Sequence, residues 1–119
     1  MQNVYMLARR VGAWAFWPAL LIVLLGELMP HAPDFGAPDK LLHFLAYFGL
    51  AVLATDALGA RRAALFAVLG LVVLGGFLEI LQSFVGRDAE WLDEVANAAG
   101  AISGGALTAA VLRLLGRND

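Results

Sequence analysis

The chain has 119 residues, of which 61% are apolar and 15% charged, with a net charge of −2 and no cysteine. Water-soluble domains carry roughly a quarter of their residues as charges, so this balance excludes an ordinary soluble domain and points to a membrane protein. Disulfides, thiolate metal sites and a cysteine nucleophile are excluded as well, and the length leaves room for one domain, 1–119, with short loops.

The first apolar run holds no charge over 11–26 and is followed by Glu27, Leu28 and Met29, which predicts a helix over about 11–29, near the roughly 20 residues that one bilayer crossing needs. Pro18 is expected to kink it. Arg9 and Arg10 ahead of this run imitate the basic start of a signal peptide, but no small-x-small cleavage site follows, and the segment is expected to stay as a helix. The prolines and glycine of MPHAPDFGAPDK mark a loop. A second helix is predicted over about 41–58, with His43, Tyr47 and Asp56 in it, and GARR joins it to a third over about 63–85 that is apolar until Glu79 and Gln82. GRDAEWLDE then leads to a fourth over about 95–112, whose most polar member is Asn97. The expected fold is all-α, a four-helix transmembrane bundle.

Lys and Arg near short loops resist translocation. Arg9, Arg10, Arg61, Arg62, Arg113 and Arg117 fall on one side of a four-span arrangement, and only Lys40 and Arg87 on the other. Both termini are therefore expected in the cytoplasm, with Asp34, Asp39, Lys40, Arg87, Asp88, Glu90, Asp93 and Glu94 facing outward. Trp14 and Trp17 would sit near the inner boundary, where interfacial aromatic residues gather.

Helical spacing lines up the remaining polar residues. Lys40, His43 and Tyr47 form one stripe on the second helix; Glu79 and Gln82 share a face with Gly75 on the third; Asp93 and Asn97 align with Gly100 and Gly104 on the fourth. The last two form a G-x-x-x-G pattern, which lets helix backbones approach closely in lipid. A carboxylate below the membrane surface is costly unless it meets a partner, water or a proton, so the stripes are expected to converge on one pocket open to the extracytoplasmic side. Asp93 is also placed to cap the fourth helix.

In three segments the chain resembles the VanZ-like family of small bacterial membrane proteins, named for a member associated with teicoplanin resistance. They are DKLLHFLAYF, similar to the family's D-K-x-x-H-x-x-x-Y opening; EILQSFVGR, with Glu79, Gln82 and Arg87; and DEVANAAGAISG, with Asp93, Asn97, Gly100 and Gly104. The likeness covers about 39–115 and departs from the family pattern in having no proline before Gly86. It implies a multi-pass protein of the bacterial inner membrane with a link to glycopeptide resistance, and it brings a phenotype rather than a reaction.

Two functions of different class follow. In the first, the polar set Asp39, Lys40, His43, Tyr47, Glu79, Gln82, Arg87, Asp93 and Asn97 binds the head group of an envelope lipid or a lipid-linked cell-wall precursor, Lys40 and Arg87 holding anionic groups. In the second, Glu79 as general base and His43 as general acid act on such a lipid. No catalytic residue is assigned by motif. A bundle that merely partners another membrane protein is the plainest reading, and self-association is expected of so thin a bundle. His43, Glu79 and Asp93 are the residue types a zinc-like ion uses, but no paired-ligand motif is present; no metal, cofactor or nucleic-acid partner is expected.

Overall fold

A computed structural model describes residues 2–29, 36, 38–86 and 90–116. Four helices, α1 (Gln2–Leu28), α2 (Asp39–Leu58), α3 (Arg62–Gln82) and α4 (Trp91–Leu114), account for nearly all of them, and no strand occurs among the described residues. Each helix is long and apolar enough to cross a membrane. The outward faces suit lipid: Trp14, Trp17, Ile22, Phe66, Val73 and Phe84 are all more than 65% exposed, an apolar surface that water would penalise. The bundle is 48 Å along its longest axis.

The sequence accounts for most of the helix ends. Pro38 is extended and cannot continue a helix backward, and Asp39 then places a carboxylate against the positive end of α2. Gly59 closes the same helix at φ 86°, a left-handed conformation a side chain would resist, and its N–H bonds the Thr55 carbonyl. α1 starts at Gln2 rather than near 11, because Met6, Leu7 and Ala8 are good helix formers and Arg9, carried on that added turn, donates to the Ala57 carbonyl of α2 at 3.1 Å. It runs through Pro18 without interruption. α3 stops at Gln82, with 83–86 in turns, where the expected helix ran on to 85. α4 begins at Trp91, so Asp93 and Glu94 belong to its first turn rather than to the loop. Glu90, not Asp93, holds the N-cap position, and no side chain caps it; Asp93 is drawn instead to Lys40 and His43.

α2 and α4 run in the same direction and pack most tightly. Gly100 lies on the Phe44 carbonyl and Gly104 on the Phe48 carbonyl, so the G-x-x-x-G face of α4 meets α2 backbone. α3 packs on both, while α1 packs on α2 and, more lightly, on α3. Tyr47, Leu50, Ala51, Val68, Leu71 and Ala101 form the apolar centre. α1 is peripheral: its only buried residues are Gly12, against Asp56 and the Leu53 carbonyl, and Glu27.

Candidate functional site

The up-and-down path brings four helix ends to one end of the bundle: the last turn of α1, the first turns of α2 and α4, and the last turns of α3. The three stripes read from helical spacing meet there. His43, Tyr47, Gly75, Glu79, Gln82, Asp93, Asn97, Gly100 and Gly104 are all buried, while Asp39 and Lys40 stay exposed at the rim. Arg87 lies outside the described residues, as do His31, Asp34, Asp88 and Arg117.

His43 is the hub. Its Nδ1–H donates to Asn97 Oδ1 at 2.9 Å and lies 3.4 Å from Glu27 Oε1, while Nε2 faces Asp39 Oδ2 at 3.5 Å and Asp93 Oδ2 at 3.7 Å. One imidazole thus touches α1, its own helix and α4. Tyr47, fully buried, donates its hydroxyl to Glu27 Oε2 at 3.1 Å, and Gln82 Nε2 donates to the Glu27 carbonyl at 2.9 Å. Glu79 accepts the Glu90 backbone N–H through Oε1, which ties the end of α3 to the start of α4. Among the described residues no hydrogen bond or ion pair joins Glu79 to His43 directly.

Two contributors escaped the sequence reading. Glu27 anchors the underside of the cluster to α1, and Glu94 turns inward, with its Oε2 against Gly75 beside Asn97 Nδ2. These two atoms are buried and neither forms a hydrogen bond of good geometry. Gly75 and Gly76 make the room: a Cβ at Gly75 would come within 2.7 Å of the Glu94 carboxylate.

The charge balance is acidic. Among the described residues, Glu27, Asp39, Glu79, Glu90, Asp93 and Glu94 face Lys40 and the titratable His43. Carboxylates this close in a poorly solvated space hold together only with protons or cationic groups between them. Lys40 supplies one such group, with Nζ 2.7 Å from Glu90 Oε2 and 3.3 Å from Asp93 Oδ1. Asp39, His43 and Asp93 present ligand atoms within 4.8 Å of one another, so Asp39 rather than Glu79 stands nearest to such a set; the Lys40 ammonium beside Asp93 opposes a divalent ion there.

The Lys40 ammonium also holds the exposed Glu90 carboxyl below the usual glutamate range. A carboxyl lowered in the folded state stabilises that state above its ordinary pKa, and the contribution disappears as the pH falls through the lowered value. Lys40→Met is expected to return the Glu90 titration upward to the ordinary range, read from its side-chain carboxyl NMR shift. An unchanged titration would mean that the ion pair does not form in solution.

No protein-family model, curated protein or solved structure matches this chain.

Proposed function

We propose that the chain is a VanZ-like integral protein of the bacterial inner membrane that receives, at the extracytoplasmic end of its bundle, the head group of an envelope lipid or lipid-linked cell-wall precursor. The observation that carries this reading is the acidic cluster gathered around His43 at one end of four helices long enough to cross a bilayer. Arg9, Arg10, Arg61, Arg62 and Arg113 stand at the other end, and that excess of positive charge supports an orientation with both termini in the cytoplasm. The excess of carboxylates favours a head group rich in ammonium, hydroxyl or amide N–H donors. Asp39, Glu90 and Glu79 would accept from those donors, while Lys40 and Arg87 would hold any phosphate beside them. Gln82 is engaged by the Glu27 carbonyl and serves the frame rather than the ligand. A link to glycopeptide resistance would follow from a change in what the antibiotic meets at the membrane surface.

Native mass spectrometry of the purified full-length chain tests this. An envelope lipid retained through detergent exchange is expected, with retention lowered about tenfold in Lys40→Ala or Asp39→Asn, the loss of about one contact to a charged group. Absence of any envelope lipid, or retention indifferent to Lys40, Asp39 and Arg87, removes the reading.

A second reading is acid–base chemistry on the same lipid. It is favoured by the imidazole of His43 lying between Glu27 and Asn97 on one side and Asp39 and Asp93 on the other. His43→Gln would then abolish turnover of the bound lipid while leaving its retention in place; equal loss of both points to a purely structural imidazole.

A further inference from the structure

The arginine end of the bundle carries a feature that the acidic cluster does not explain. A cleft of about 870 Å³ opens between α3 and α4 beside the last turns of α2, within the roughly 300–1,000 Å³ typical of small-ligand sites. Its walls are apolar and largely small, Val68 on one side and Ala106 and Ala109 on the other, and Arg61, Arg62 and Arg113 line its solvent-facing end. No Asp or Glu lines it. The nearest acid in sequence, Asp56, faces Gly12 on the α1 side of α2. Arg61 donates through Nε to the Leu58 carbonyl at 2.7 Å, while Arg62 and Arg113 take part in none of the ion pairs among the described residues. Deeper in the cleft lies Thr55, 1% exposed, whose hydroxyl has no hydrogen-bond partner among the described residues. A buried hydroxyl left without a partner is unusual, and it is satisfied most simply by a ligand atom.

We propose that this cleft is a binding site for an anionic phospholipid, one acyl chain lying along the small-residue groove between α3 and α4 and the phosphate held by Arg62 and Arg113. Topology alone needs the arginines near the surface, but it needs neither a groove beneath them nor a buried unpaired hydroxyl within it. Basic pockets between membrane-spanning helices recognise acidic head groups by this combination of a fixed charge and an apolar slot. The site shares no residue with the acidic cluster and stands or falls apart from it.

The test uses the full chain reconstituted in vesicles of one part palmitoyl-oleoyl phosphatidylglycerol to four parts of the corresponding phosphatidylethanolamine. Native mass spectrometry then reads the lipid that stays bound. Retained phosphatidylglycerol is expected to exceed its share of the membrane, and Arg62→Gln with Arg113→Gln to lower that enrichment about tenfold. Ala106→Trp, at an exposed wall position, should displace the lipid by filling the groove, whereas Lys40→Ala at the opposite end should leave it bound. Because all four altered positions are exposed, unchanged helicity by circular dichroism is expected and serves as the folding control. Retained lipid that mirrors the bulk mixture, or that ignores both variants, overturns the proposal. So does a dimer that Ala106→Trp dissociates without any lipid enrichment, since the cleft is then an interface between copies of the chain.

Discussion

Alanine at Gly100 or at Gly104 is expected to lower the unfolding free energy of the bundle by about 3 kcal/mol each, and the double substitution to keep α2 and α4 from packing. A methyl group at either position would run into the carbonyl of Phe44 or Phe48. These are backbone atoms of a continuous helix and cannot swing aside as a side chain would, so the helices must separate along their closest contact. Separation would also pull Asn97, one turn before Gly100, away from His43 and loosen the cluster. Gly70→Ala supplies the control: its Cβ would meet nothing within 4 Å, and the change is expected to be neutral or to stabilise by up to about 1 kcal/mol through helix propensity. Denaturant titration in detergent micelles, followed by circular dichroism, measures all three. If Gly100→Ala unfolds at the same midpoint as Gly70→Ala, the tight α2–α4 approach is wrong.

The same glycines show what the sequence makes legible. Spacings of three and four residues identified Gly75, Gly100 and Gly104 as packing positions and aligned His43 with Tyr47, Glu79 with Gln82, and Asp93 with Asn97, because a helix projects such residues from one face whatever surrounds it. The partners across helices were not legible, since they depend on rotation and depth. Glu27 has only Leu20, Val23 and Leu24 at helical spacing before it, so no polar stripe pointed inward from α1; its place beneath Tyr47 and Gln82 follows from packing alone. Glu94 was hidden by the acidic run before it, which reads as a solvated loop, although Trp91, Leu92 and Val95 already carry the apolar spacing of a helix. Glu79 illustrates the converse. Its burial could be anticipated, but the Glu90 N–H that occupies it belongs to the turn of backbone that starts α4. The lipid cleft at the arginine end had no polar stripe to announce it, because its walls are made of alanine and branched aliphatic residues.

His43→Ala is expected to destabilise the bundle by about 3–5 kcal/mol, the usual cost of removing one member of a buried charged network. The imidazole lies between Glu27 on one side and Asp39 and Asp93 on the other, and without it these carboxylates lose the group that separates them, Tyr47 and Lys40 remaining on their far oxygens. Asn97→Ala removes a single 2.9 Å hydrogen bond at a fully buried position and should cost about 1–3 kcal/mol. Because the two side chains bond each other, the double variant should lose less than the sum, with a coupling of about 1–2 kcal/mol in a double-mutant cycle. Thr55→Val, at the other end of α2, should add to either change without coupling. Additive losses for His43 and Asn97 would mean that each acts through other neighbours and that the imidazole does not tie α2 to α4. With the predicted coupling, lipid retention by a stabilised His43→Gln variant separates the two roles of the residue: a cluster that still binds its head group uses His43 as a strut, and one that folds but no longer binds presents it to the ligand.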